Sequence, residues 1–233
     1  MLFLHRPLGI RLEYGCILKP MAFKQDHEPS YISEAIWRSY QEGSRFFMGA
    51  GDIYASLQRL VMELEERELD YAIIGGMALV AYGYRRFTED IDLLMTPAAL
   101  QIFRDSLLGR GYLPAFDGAN KSFRNTQTGV RIEIVTSGEY PGDGKPKPVR
   151  FPDPTEARIQ KEGLWLIKLE KLIELKLASG LSAPHRLRDL SDAQELIIRL
   201  NLPLEFEETL DSSVRTEYRR LWNNAQAISG EDR

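Results

Sequence analysis

Thiols and imidazoles are scarce in this chain: one cysteine, Cys16, and three scattered histidines, His5, His27 and His185, among 233 residues. A single thiol excludes an intrachain disulfide and a zinc site of the multi-cysteine kind, and histidines so dispersed offer no His-rich metal site. Long apolar runs are also missing, and none approaches the roughly 20 residues that span a bilayer. Residues 1–20 mix apolar residues with His5, Arg6, Arg11, Glu13 and Lys19, which breaks up any signal-peptide core. No membrane partner is expected, the cytoplasm is the expected compartment, and Met21 is an alternative start. Basic charge is not in excess either. The net charge of -4 gives no global attraction for polyanions, so contact with nucleic acid would need a local basic patch.

What is present is an ordinary globular composition, with 43% hydrophobic and 27% charged residues, and no repeat or low-complexity tract. The length suits one large domain, or a catalytic domain with a helical extension. Residues 1–50 have little periodicity and read as a lead-in, irregular or partly disordered. From 51 to 155 the pattern is that of a small mixed sheet with helices. Ile53, Leu57, Leu60, Val61 and Leu64 fall at helical spacing. Tyr71–Ile74 reads as a buried strand, Met77–Tyr82 as a short helix closed by Gly83, and Arg86–Met95 as a second strand. Thr96 and Pro97 open another helix as N-cap and first helical position. Further strands are expected near Tyr112–Phe116, Ser122–Asn125 and Gly129–Thr136. Gly138–Pro154, rich in Gly and Pro with Lys145, Lys147 and Arg150, reads as an exposed, mobile loop. From 156 to 233 the pattern is helical. The expected class is therefore α+β, with function where the sheet region meets the helical region.

The chemistry-bearing residues lie at that junction. In a strand successive side chains alternate faces, so Asp90 and Asp92 project together, about 7 Å apart, while Ile91 and Leu93 face the other way. Two acids on one rigid element repel each other, and a hard divalent cation relieves that repulsion. Glu133 is an acid opposite the apolar set Val130, Ile132 and Ile134. Gly75-Gly76, opening a helix, offers bare backbone N–H groups to phosphate. Two later residues are out of place. Lys176 falls on the apolar face of the helix around Leu172 and Ile173, and Asp189 shares a stripe with Ala193, Leu196 and Leu200. A buried charge needs a partner or a ligand. Lys176 and Asp189 meet a ligand, pair with each other, or stand apart, the lysine stem snorkelling out along the core and the aspartate complementing the helix N-terminus.

Taken together, Gly75-Gly76-Met77-Ala78-Leu79, Tyr82-Gly83, Arg86-Phe87-Thr88, Asp90-Ile91-Asp92 and Glu133 resemble the DNA polymerase β-type nucleotidyltransferases. Closer still, with Leu172–Ala178 and Arg188–Asp192, the chain is similar to AbiEii-type toxin and related minimal nucleotidyltransferases. The resemblance runs from about Leu57 to Leu200 and implies a small mixed nucleotidyltransferase sheet flanked by helices. It implies that Asp90, Asp92 and Glu133 are catalytic and hold one or two Mg²⁺ ions. It assigns Gly75, Gly76, Arg86, Thr88, Lys176 and Asp189 to nucleotide binding. The implied reaction moves a nucleoside monophosphate from a nucleoside triphosphate to RNA or tRNA, a protein or a small molecule. The implied setting is a toxin–antitoxin or phage-defence system with a cognate antitoxin. The competing expectation is an inactive nucleotide- or partner-binding module on the same fold. The wider superfamily often has Gly-Ser where this chain has Gly75-Gly76.

Overall fold

The computed structural model describes Gly43, Arg45, Phe46 and residues 50–231. The expected lead-in over 1–50 lies outside the described residues apart from Gly43, Arg45, Phe46 and Ala50. Phe46 is buried and packs edge-on to Phe87 and obliquely on Tyr54.

Helix α1 (Asp52–Glu65) buries the predicted stripe of Ile53, Leu57, Leu60, Val61 and Leu64. It leads through strand β1 (Tyr71–Ile73) into the seven-residue helix α2 (Gly75–Ala81) and strand β2 (Asp90–Met95). Helix α3 (Pro97–Leu107) starts as expected, with Thr96 Oγ1 accepting from the Ala99 N–H at 3.0 Å. Strands β3 (Tyr112–Pro114), β4 (Ser122–Asn125) and β5 (Arg131–Thr136) follow. After a single helical turn, α4 (Pro154–Ala157), strands β6 (Arg158–Lys161) and β7 (Leu164–Ile167) precede helices α5 (Leu169–Ser182), α6 (Leu187–Arg199) and α7 (Ser212–Glu231).

The seven strands form one mixed sheet in the order β3-β4-β5-β2-β1-β7-β6. β2 is antiparallel to β1 and parallel to β5, and β1 is parallel to β7. The alternation in β2 decides what each face carries. Ile91, Leu93 and Met95 join a core with Leu57, Leu60, Leu64 and Phe103, on the side of α1 and α3. Leu94 joins a second core with Leu172, Ile173, Leu177, Leu196 and Tyr218, on the side of α5, α6 and α7. Asp90 and Asp92, in phase with Leu94, therefore project toward the C-terminal helices. The acids stand where sheet and helices meet.

Two expectations are corrected. The chain does not turn wholly helical after the Gly/Pro segment: β6 and β7 form an antiparallel hairpin that extends the sheet, and α5 starts at Leu169. Glu162 and Gly163 at its turn have φ of 52° and 81°, the paired positive values that suit the right-handed twist of a two-residue hairpin. Nor is 138–154 simply an exposed loop. Gly138 N–H donates to Phe151 O and Phe151 N–H to Glu139 O, both at 2.8 Å, and Val149 is buried in the second core. The segment is a strap lying against α5. Among the described residues, no helix is long and apolar enough to cross a membrane.

Candidate active site

The parallel register of β2 and β5 sets Asp92 directly opposite Glu133, and Asp90 opposite Arg131. Neighbouring strands are about 4.8 Å apart, so Asp90, Asp92 and Glu133 form an acidic triangle on one face. The tight end of that triangle is made by glycine. Gly75 has φ +60°, and a Cβ there would land on the Asp92 carboxylate. A Cβ at Gly76 would lie 2.5 Å from Thr88 Oγ1. The glycine pair thus lets the α2 turn close onto the acids, and Thr88 fills the space that a serine at 76 would need. Gly76 also offers its backbone N–H to the Asp92 carboxylate.

Each outer acid has a hydroxyl partner. Thr88 Oγ1 donates to Asp90 Oδ1 at 2.8 Å, and Ser122 Oγ donates to Glu133 Oε1 at 2.7 Å. Arg131 lies 3.7 Å from the same Glu133 oxygen. Burial, with Asp90 next to it, pushes the Asp92 carboxyl up to about 7; Lys176 and the Gly76 N–H pull the other way, and Glu133 adds to the rise. Among the described residues no three or more His, Cys, Asp or Glu side chains are drawn together closely enough to hold a metal ion between them. Glu133 Oε1 instead turns sideways to Ser122 and Arg131.

Lys176 reaches the edge of this triangle from α5. Its Nζ lies 2.7 Å from Asp189 Oδ1 and 2.8 Å from Asp192 Oδ2. Burial lowers its pKa, but Asp192 and Asp189 outweigh that and hold it above the ordinary lysine value. Asp189 in turn is held below the carboxylate range, against its burial, by Lys176, Ser179 and Arg186. Arg86 Nη1 donates to both Asp192 oxygens at 3.3 Å. The sequence anomalies at Lys176 and Asp189 are partners of each other. A helical wheel puts Asp192 only on the flank of the stripe, and so underrates it. Asp192 is 1% exposed and takes both cations. Nothing in the sequence singles out Ser122, since no local pattern links it to an acid 11 residues on.

Beside the triangle, a cavity of about 270 Å³ is lined by Val135, Tyr140, Phe151, Leu175, Lys176 and Arg186, among others. Val135 lies two residues beyond Glu133 on the same face of β5, and Tyr140 belongs to the strap. The basic strap residues are largely engaged within it. Lys147 Nζ donates to Pro141 O and Asp143, and the Arg150 guanidinium lies 4.8 Å from the centre of the Tyr140 ring.

No protein-family model matches this chain, and no curated protein matches it. Solved structures do. ANT(2'')-Ia in complex with adenylyl-2''-tobramycin is similar over 71% of this chain and 96% of its own, at 13% identity and a TM-score of 0.48. An antigenic nucleotidyltransferase-like protein from Paracoccidioides brasiliensis is similar over 76% of this chain and 89% of its own, at 17% identity and a TM-score of 0.47. A tRNA nucleotidyltransferase complexed with a primer tRNA and an incoming ATP analog is similar over 70% of this chain and 49% of its own, at 16% identity and a TM-score of 0.34. Strand, glycine pair, short helix and acid-bearing strand, with a third acid on the parallel neighbour, follow in the order in which the sequence motifs stand.

Proposed function

We propose that this chain transfers a nucleoside monophosphate from a nucleoside triphosphate to an acceptor hydroxyl, releasing pyrophosphate, with one or two Mg²⁺ ions as cofactor. The observation that carries the reading is the acidic triangle: Asp92 in register with Glu133, Asp90 on the same face, and the Gly75-Gly76 turn closed against Asp92. The donor set fits a hard cation. It is all oxygen, and Asp92 is so burdened by burial and by Asp90 that its carboxyl is raised to about 7, a rise that an added positive charge reverses. When bound, Mg²⁺ would neutralise the phosphates and favour in-line displacement at the α-phosphate.

The chain's own groups divide the remaining work. Asp90 and Asp92 would hold the ion, and Glu133 would hold a second or take the proton of the acceptor hydroxyl. The backbone N–H groups at Gly75 and Gly76 would receive phosphate, the Gly76 N–H in place of the Asp92 carboxylate that it now meets. Lys176, kept charged by Asp189 and Asp192, would meet the β- or γ-phosphate, with Arg86 as a second cation. The cavity beyond Val135 has room for the nucleoside of the donor.

The AbiEii-type motifs extend the proposal to a toxin of a toxin–antitoxin or phage-defence pair, restrained by a cognate antitoxin. The acceptor would be tRNA or another RNA, or a protein hydroxyl, with a small molecule such as an aminoglycoside as the alternative. The test is label transfer with Mg²⁺ and each of the four α-labelled nucleotides, offering RNA, protein and aminoglycoside separately. Label that depends on intact Asp92 is expected in one pool and names the acceptor class. Nucleotide binding with no label in any pool would overturn the enzyme and leave the binding module.

A further inference from the structure

The three carboxylates do not present equivalent oxygens. Thr88 is 4% exposed, is wedged against Gly76, and gives its one hydroxyl proton to Asp90 Oδ1. Ser122 is 7% exposed, faces Glu133 across the β4–β5 register, and gives its proton to Glu133 Oε1. Arg131 approaches that same Glu133 oxygen at 3.7 Å. The two hydroxyls come from opposite sides of the acidic triangle, one from the loop before β2 and one from β4. Each engages one oxygen of its acid and not the other. Both hydroxyls donate, so one oxygen of each carboxylate is held as an acceptor.

We propose that Thr88 and Ser122 are positioning residues. They tie down Asp90 Oδ1 and Glu133 Oε1 so that only Oδ2 and Oε2 face a divalent cation, and thereby select a small six-coordinate ion over a larger one. This rests on the metal-dependent reading above. The physical ground is the difference between the two common hard cations. Mg²⁺ demands a near-ideal octahedron and takes carboxylates one oxygen at a time. Ca²⁺ takes six to eight oxygens at longer range and readily engages both oxygens of one carboxylate. A carboxylate with one oxygen held by a buried hydroxyl must turn against that hydrogen bond to give both. Freed of that hydroxyl, it need not.

Binding of Mg²⁺ and of Ca²⁺ to the full chain, measured by calorimetry without nucleotide, tests this in the wild type, Thr88→Val, Ser122→Ala and the double variant. We expect Mg²⁺ affinity to fall about tenfold in the double variant, the scale found when a partner of a metal ligand is removed. Ca²⁺ affinity should hold or rise, so that the ratio shifts toward Ca²⁺. Ser122→Thr, which keeps the hydroxyl, should keep the wild-type ratio. A purely structural role would weaken both ions together. An unchanged ratio in a folded double variant overturns the proposal and leaves the metal reading intact. A wild type that binds no divalent ion in an Asp92-dependent way overturns both, and the Asp92→Asn control tells the two failures apart.

Discussion

Lys176 stands between two groups of buried charge. On its helical side Asp192 and Asp189 receive it at 2.8 and 2.7 Å, and Arg86, from the loop before β2, shares Asp192. Lys176 and Arg86 there meet two anions, with Arg186 3.7 Å from Asp189, and the shifts agree: Lys176 is raised despite burial, and Asp189 is lowered despite burial. On its sheet side stand Asp90, Asp92 and Glu133, partnered by two hydroxyls, a backbone N–H and an arginine at 3.7 Å. There the shift goes the other way, and Asp92 rises to about 7. The balanced group fastens α5 and α6 to the sheet. In the unbalanced group burial and the neighbouring Asp90 disfavour charge on Asp92, and Lys176 and the Gly76 N–H offset this only in part. The same residue types serve opposite ends, and the charge balance separates them.

The largest expected effect comes from unbalancing the first group. Lys176→Met leaves Asp192, 1% exposed, with Arg86 alone, and Asp189 with Ser179 and a distant Arg186. Removing one member of a buried ion pair costs about 3–5 kcal/mol, read as a lower midpoint in urea unfolding. Adding Asp189→Asn should recover part of that loss, since the two residues share one network. A loss below about 1 kcal/mol would mean that this group is not what holds the helices down.

Next comes the reverse experiment on the unbalanced group. The Asp92 pKa in the folded chain, about 7, is above its ordinary value of 3.8. Between those values the folded state holds a proton that the unfolded chain has lost, so this group's contribution to stability falls as pH rises through the window. Above about pH 7 the full cost is felt, at most roughly 4 kcal/mol at 1.36 kcal/mol per pKa unit. Asp92→Asn should therefore raise the Tm of the metal-free protein at pH 8, by an amount that shrinks toward pH 4, while abolishing transfer. Mg²⁺ should raise the Tm of the wild type by mass action and leave the variant unmoved. An Asn variant less stable than wild type at pH 8 would break the comparison.

How far the sequence reaches depends on whether the deciding contact is local. Asp90 and Asp92 alternate with Ile91 and Leu93 within four residues, so a shared face is legible, as are the Thr96 cap and the α1 stripe. That Asp92 faces Glu133 is a matter of strand register across 41 positions, and no local pattern carries it. A helical wheel ranks Asp192 below Asp189 because it sees only its own helix, while a residue that claims Asp192 is Arg86, 106 positions earlier. The β6–β7 hairpin escapes because the four-residue apolar run of β7 does not distinguish strand from helix and β6 is mostly polar; Glu162-Gly163 between them is the available signal. Ser122 and the docking of the strap leave no signal of their own.

The strap gives the smallest and most local test. Gly142 has φ +78°, and its carbonyl accepts from Arg186 at 3.1 Å. A Cβ at this position would fall on the Ser182 hydroxyl and lie 3.0 Å from Ser179 backbone atoms. Gly142→Ala must therefore strain the backbone and lift the strap from α5 together, at about 1–3 kcal/mol. The charges of both groups remain in place, so transfer should persist in kind. Hydrogen exchange at Gly138 and Phe151, whose amides tie the strap's two ends, should quicken more than exchange in β2 or β5. Lys145→Ala, at an exposed strap position, should change stability by less than about 0.5 kcal/mol. If Gly142→Ala is as harmless as Lys145→Ala, the strap is not held by this contact. The exposed, mobile loop that composition alone suggests would then be the better description of 138–154.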